Sequence, residues 1–310
     1  MDHHYPGYLT LYHSGELARR AQAAWAMLAR CELCPHRCGV DRLKGERGVC
    51  RMGDRLKLSS WNLHPWEEPP ISGRRGSGTI FFSGCTGRCR FCQNYPISQL
   101  GHGQEVSVER LAGMMLELQR KGAHNINFVT PTHFMPHILA ALPHAIRGGL
   151  HLPLVYNTSG YERVEVLRLL EGVVEVWLPD AKYADNAIAR RLSGFKDYVE
   201  YNRLALGEIY RQVGDELLLD EEGTARRGMI IRHLVLPHGL SGTAEVLRWI
   251  AAGLSPRVHI SLMDQYFPAH RALGDPLLNR KITSEEYEAA LEAFDAAGLE
   301  RGWYQTTHDQ

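Results

Sequence analysis

Thr79-Ile80-Phe81-Phe82-Ser83-Gly84-Cys85-Thr86-Gly87-Arg88-Cys89-Arg90-Phe91-Cys92 decides how the rest of this chain is read. The β-branched and aromatic residues at Thr79–Ser83 predict a strand, and two glycines then open a loop carrying three cysteines. Thiolates spaced C-x3-C-x2-C hold three corners of a cubane iron–sulfur cluster and leave the fourth iron without a ligand from the loop. An open iron is a site for chemistry, whereas four cysteines usually make an electron carrier. Gly84 and Gly87 let the loop curl and aim N–H groups at the anionic sulfurs. Spacing alone also admits a structural zinc completed by one of the 16 histidines. The preceding strand, aromatic Phe91 beside the last cysteine and the βα rhythm downstream favour the cluster.

Working outward, the 310 residues carry 35 basic and 35 acidic side chains, a formal charge of zero. That balance argues against a chain that coats nucleic acid or anionic lipid. No apolar run is long enough for a membrane span, and Met1-Asp2-His3-His4-Tyr5-Pro6 lacks the basic-then-apolar order of a secretion signal. A cytoplasmic, globular protein with neither nucleic-acid nor membrane partners is expected. The 7 cysteines all fall between positions 31 and 92, as a set of four (Cys31, Cys34, Cys38, Cys50) and the set of three. An odd, clustered count without a signal peptide reads as metal ligation rather than a disulfide framework.

Strands are expected at Thr79–Ser83, Asn125–Thr130, Leu152–Asn157, Val173–Leu178, Met229–Leu236 and His259–Met263. Helices are expected at 14–30, 107–121, 134–147, 161–171, 197–212 and 243–253. Six strands alternating with helices predict an α/β fold with a parallel sheet, short of a full eight-unit barrel. Thr283 with Glu286 fits a capping box before a last helix. The Pro- and Gly-rich stretch 64–78 marks a boundary. Three regions follow: 1–75, an N-terminal helix and four-cysteine metal knuckle; 76–270, the βα core; 271–310, a C-terminal helical extension.

The trio Cys85, Cys89 and Cys92 with Phe91 resembles the signature of radical S-adenosylmethionine (radical SAM) enzymes. GSGTIFFSGC (76–85), FCQNYPISQL (91–100), NFVTPTH (127–133), NTSGY (157–161), LPDAKY (178–183) and IIRHLVLP (230–237) resemble, more narrowly, the pyruvate formate-lyase activating enzymes and their PflX-like branch. The resemblance covers roughly residues 78 to 270. It implies a partial (β/α)6 barrel whose first loop carries a [4Fe–4S] cluster, with S-adenosylmethionine (SAM) chelating the open iron. It also implies reductive cleavage of SAM to a 5′-deoxyadenosyl radical that abstracts hydrogen from a substrate. Phe91 would then lie against the adenine, largely through its backbone.

Other candidate residues sit at predicted strand ends, which face an active-site mouth in such folds. Thr130 and Thr132 stand where many radical SAM enzymes receive the SAM ammonium on a Gly-Gly-Glu turn absent here; Thr132 equally fits a helix cap. Asn157 and Ser159 are candidates for the ribose hydroxyls or the SAM carboxylate, with a helix N-cap as the plainer account. Asp180 and Lys182 match the Asp-x-Lys of the activases, the acid toward a cation or the cofactor and the lysine toward the substrate. Arg232 is a candidate partner for the SAM carboxylate. His233, in an apolar strand, reads as a core histidine, and Gln265–Pro268 reads as core or, alternatively, as the floor of the pocket.

Cys31-x2-Cys34-x3-Cys38-x11-Cys50 supplies enough thiolates to saturate either zinc or a second [4Fe–4S] cluster, and spacing does not choose between them. Arg37, Arg42, Lys44, Arg47, Arg51 and Arg55 nearby read as a solvated basic face, or as a surface for an acidic partner. The leading functional expectation is activation of a protein partner in trans, a glycyl radical enzyme or peptide. A flavodoxin or ferredoxin would donate the electron. Radical modification of another peptide or of a small molecule, aided by an auxiliary cluster, is the alternative. A non-catalytic zinc scaffold is a third reading.

Overall fold

In the computed structural model, which describes residues 5–305, the strands form one mixed sheet. The six residues of the chain start include four that lie outside the described range, as do residues 306–310. In chain order the strands are β1 (Lys57–His64), β2 (Ser77–Phe82), β3 (Gln104–Glu105), β4 (Ile126–Val129), β5 (Leu154–Thr158), β6 (Val176–Pro179), β7 (Leu218–Leu219), β8 (Ala225–Leu234), β9 (His259–Met263) and β10 (Gly302–Gln305). They lie side by side as β10-β9-β8-β6-β5-β4-β2-β1-β3, with β7 attached to β8. Along that order every neighbouring pair from β2 to β10 is parallel, while β1 runs antiparallel to β2 and β3, and the attached β7 runs antiparallel to β8.

The six expected strands all form, in chain order across the sheet. Their Ile, Val, Phe and Leu residues are buried along nearly the whole length of β2, β4, β5 and β6, as a parallel sheet beneath crossover helices requires. Helices Val108–Arg120, Met135–Arg147, Val164–Leu169, Tyr198–Val213 and Thr243–Gly253 supply the crossovers. The capping box of Thr283 and Glu286 opens the helix Ser284–Ala296. No helix among the described residues is long and apolar enough to cross a membrane.

Three features differ from expectation. The helix expected at 14–30 forms as Glu16–Ala26, and a further helix, Gly7–His13, precedes it; the Ser14 amide closes that one on Thr10 before the chain turns at Gly15. A seventh parallel strand, β10, comes from the region read as helical and pairs with β9. The antiparallel strand β1 pairs with β2 from Leu58↔Phe82 to His64↔Ser77, so the sheet continues across the boundary expected near residue 75.

The core between sheet and helices holds Trp177, Tyr156, Phe82, Phe128 and Phe134, all fully buried. Because β2, β4, β5, β6, β8 and β9 share one direction, Ser83, Thr130, Ser159, Asp180, Val235 and Asp264 all follow carboxyl ends at the same edge. Side chains far apart in sequence are thereby gathered at one mouth.

Candidate active site

The chain leaves β2 and turns at Gly84, whose φ is +80°. A Cβ there would stand 2.8 Å from the carbonyl oxygen of Cys50 and 2.7 Å from Cγ of Met52, so a side chain is excluded twice over. The loop is then pinned to the helix Asn186–Ser193: the Arg88 and Arg90 amides donate to the carbonyls of Ser193 and Leu192 at 2.7 and 2.8 Å. Each cysteine sulfur meets a polar partner. The Gly87 amide donates to Cys85 Sγ at 3.2 Å, the Ser193 hydroxyl donates to Cys89 Sγ at 3.0 Å, and Cys92 Sγ lies 3.1 Å from Ser98 Oγ.

Burial pushes the Cys85 thiol up to about 12, with Cys89 adding to the shift, although part of the residue still meets solvent. Burial raises Cys89 as well, against the pull of the Lys182 ammonium. Thiols in this setting become thiolates only when a cation replaces the proton. Three such groups ringed by N–H and O–H donors fit an iron–sulfur cluster, whose sulfurs accept hydrogen bonds. No group of three His, Cys, Asp or Glu among the described residues closes around a single ion. A cubane differs from such a site in placing each cysteine on a separate iron.

Beside the loop opens a cleft of about 780 Å³, lined by Phe81, Val129, Asn157 and Met263 at the strand ends and by Gln93 and Asn94 just past Cys92. Trp66 and Tyr304, both exposed, form part of its lip. Asn157 therefore faces the cleft, while Ser159 turns its carbonyl to the Tyr198 hydroxyl at 2.9 Å. Thr130 holds φ of +57°, a costly conformation for a β-branched residue, with its amide donating to the Asn157 carbonyl at 2.9 Å. Phe91 is buried, its ring edge-on to Tyr266 at 5.7 Å. Lys182 Nζ lies 2.6 Å from Asp180 Oδ2. Burial alone would lower that ammonium, but Asp180 and Cys89 reverse the effect and leave its pKa raised.

Two of the expected cofactor contacts are occupied by side chains that sequence reasoning missed. Thr132 neither faces the cleft nor caps a helix: buried, its hydroxyl donates to Glu162 Oε1 at 2.5 Å, and Thr158 donates to the same oxygen. Arg232 does line the cleft, but its guanidinium is already held by Glu68, at 2.7 and 2.5 Å, and by Glu67. Glu67 and Glu68 precede Pro69-Pro70 in the stretch read as a boundary loop, where no periodicity marks them for the interior. His233 is the core histidine expected, with Nδ1 2.6 Å from the Ala181 carbonyl and Nε2 2.9 Å from Thr243 Oγ1.

The other four cysteines gather in a tight knuckle. Val49 N–H donates to Cys38 Sγ at 3.4 Å, and Cys31 exchanges backbone hydrogen bonds with Val40 and Gly39. Burial raises the Cys34 thiol far above its ordinary value, and Cys50, Cys38 and Cys31 all add to the shift. The nearby cations are not all a solvated face. Arg42 is fully buried and donates to the carbonyls of Gly53 and His133.

Comparison with known proteins adds to this geometry. The family model described as the Radical SAM superfamily matches residues 79–308. An uncharacterized protein of Methanocaldococcus jannaschii, MJ0674, is 34% identical over 294 residues, covering 91% of this chain and 79% of that protein. Among solved structures, HydG, a maturase of the [FeFe]-hydrogenase, is similar with a TM-score of 0.49 and 12% identity over 73% of this chain. This chain spans 50% of that one. A domain of a pyruvate-formate lyase-activating enzyme from Bacteroides vulgatus gives a TM-score of 0.40 and 17% identity, covering 59% of this chain and 100% of that domain.

Proposed function

Because the chain belongs to the radical SAM superfamily, we propose that Cys85, Cys89 and Cys92 hold a [4Fe–4S] cluster whose open iron takes SAM, beside a cleft that receives the substrate. The cluster and SAM, when bound, supply the electron and the sulfonium from which a 5′-deoxyadenosyl radical arises to abstract hydrogen. The observation that carries the reading is the loop itself: three thiols, each with its own polar partner, in a loop whose continuation, Gln93 and Asn94, lines a cleft of about 780 Å³.

The chain's own residues have separable tasks. The Gly87 amide and the Ser193 and Ser98 hydroxyls disperse charge on the sulfurs, which raises the potential of a cluster held there. Asn157 would border the adenosine from the cleft wall, with Phe91 and Thr130 beside it and the Ser159 hydroxyl as an acceptor, and the Asp180–Lys182 pair would keep a fixed charge near Cys89. Arg232, neutralised by Glu67 and Glu68, shapes the cleft floor and leaves the SAM carboxylate to other groups.

The substrate in this reading is a polypeptide supplied in trans, a glycyl radical enzyme or a peptide, consistent with the PflX-like phrases of the sequence. The exposed Trp66 and Tyr304 on the lip support it, since aromatic side chains anchor protein contacts. A flavodoxin or ferredoxin delivers the electron, and Cys31, Cys34, Cys38 and Cys50 hold a second metal, zinc or a [4Fe–4S] cluster. The cleft volume favours a second reading, a small-molecule substrate, because sites of ~300–1,000 Å³ enclose such ligands whole.

The test is reduction of anaerobically prepared protein with dithionite in the presence of SAM. Formation of 5′-deoxyadenosine supports the radical reading, and its absence from protein with full iron and sulfide refutes it. Deuterium carried into 5′-deoxyadenosine from a labelled polypeptide or a labelled metabolite pool then separates the two substrate classes.

A further inference from the structure

The knuckle formed by Cys31, Cys34, Cys38 and Cys50 does not stand apart from the radical loop. It touches that loop on both flanks. His36, between Cys34 and Cys38, donates from Nε2 to the carbonyl oxygen of Thr86 at 2.8 Å, and Thr86 follows Cys85. The imidazole is held at that angle by Tyr161, with ring centroids 5.1 Å apart, and by Phe195 stacked at 6.4 Å. Arg88 of the loop donates to the carbonyl of Val49, next to Cys50.

Two further contacts come from residues near the knuckle. Arg42 donates to the His133 carbonyl at 2.7 Å, and His133 Nε2 donates to the Ser83 carbonyl at 2.7 Å, at the root of the radical loop. Arg51 donates to the Gln99 carbonyl at 3.4 Å, and the Gln99 side-chain amide donates to the Cys89 carbonyl at 2.7 Å. Parts of the knuckle backbone are strained. Arg37 and Arg51, neighbours of Cys38 and Cys50, both sit at positive φ, 43° and 63°. Gly48 packs so closely that a Cβ would stand 2.5 Å from Cys38 Sγ. Strained backbone around four thiols persists when a metal ties the ligands together.

We propose that the four-cysteine knuckle is a metal-dependent clamp on the radical loop. Metal bound by Cys31, Cys34, Cys38 and Cys50 fixes His36 and Val49 against Thr86 and Arg88, and so determines how firmly Cys85, Cys89 and Cys92 keep their cluster. This rests on the reading above that the four cysteines bind metal. His36 is a positioning residue: it acts on the cluster through the Thr86 carbonyl and touches no reacting atom. A saturated site of either zinc or iron–sulfur type serves equally, because the clamp needs rigidity and no open coordination.

The experiment uses full-length protein prepared without oxygen. The triple variant C85A/C89A/C92A reports metal at the knuckle alone; retained metal supports the site, and none at all overturns the reading on which the clamp depends. His36→Phe keeps the aromatic stack and removes the donor to Thr86. It is expected to retain the knuckle metal while the SAM-responsive EPR signal of the reduced cluster shifts and decays several-fold faster in air. His36→Gln, which offers an amide donor, is expected to restore part of the wild-type behaviour. C31S/C34S is expected to lose the knuckle metal and destabilise the same EPR signal. If His36→Phe, or C31S/C34S stripped of its knuckle metal, shows an unchanged signal and decay rate, the clamp is wrong.

Discussion

Lys182 Nζ and Asp180 Oδ2 are 2.6 Å apart at the end of β6, and the Lys182 ammonium faces Cys89 as well. A cation flanked by a carboxylate and a sulfur ligand is set to compensate negative charge on the cluster side of the cleft. Asp180→Asn removes one counter-charge and leaves the ammonium burdened by burial. Weaker SAM binding is expected, by roughly the 1.5–3 kcal/mol of a charge-assisted hydrogen bond. Titration of SAM into anaerobic protein measures it, and an unchanged dissociation constant would return Asp180 to a purely structural role.

Alanine at Cys85, Cys89 or Cys92 is expected to abolish 5′-deoxyadenosine formation, since in the proposed reading each thiolate holds one corner of the cluster. Alanine at Cys34 is expected to leave SAM able to bind whatever cluster remains. Iron, sulfide and 5′-deoxyadenosine counts on the four variants provide the check; full activity in any of the first three contradicts the ligand assignment.

Gly84→Ala is expected to lose cluster and stability together. Left-handed backbone costs a side chain about 1–2 kcal/mol. The new Cβ also meets the Cys50 carbonyl at 2.8 Å, so the radical loop must move off the knuckle. Iron content after gel filtration and the urea midpoint report the two effects. A variant with wild-type values for both would show that the loop is not held where the structure places it.

Removing Arg232 strands two carboxylates. Its side chain is 13% exposed, and those of Glu67 and Glu68 are 8% and 0% exposed. Breaking a buried pair on one side costs about 3–5 kcal/mol, so Arg232→Met is expected to destabilise by that order. The combination E67Q/E68Q/R232M, which has no charge left to strand, is expected to recover much of the loss. Equal stability of the single and triple variants in urea unfolding would refute the strand of reasoning.

Glu162 supplies the pH dependence. Burial raises its carboxyl to about 7, against the hydrogen bonds from Thr132 and Thr158. The folded protein thus holds this proton more tightly than the unfolded chain, whose carboxyls titrate near ~4.3. The resulting stabilisation is complete below the unfolded value and is lost as pH rises through about 7. Glu175, raised by burial to about 8, adds a loss of the same sign at slightly higher pH. Unfolding free energies from pH 5 to pH 8 should fall less steeply in Glu162→Gln than in wild type; superimposable slopes would show that Glu162 is not buried as a neutral acid.

The cysteine loop after a strand, six strands alternating with helices and the capping box at Thr283 were legible in the residues alone, because each depends on neighbours within a few positions. Ligand spacing, β-branched runs and helix caps are local properties, and they are written where they act. Only the tertiary structure decided that Glu67 and Glu68 take Arg232, 165 and 164 residues away, or that Thr132 turns to Glu162 rather than to the cleft. The same holds for His36 on Thr86, 50 residues on, and for the short strand β10 that joins β9. Such pairings arise because parallel strands bring distant segments to one edge, where a buried charge must find whichever partner the packing has placed beside it.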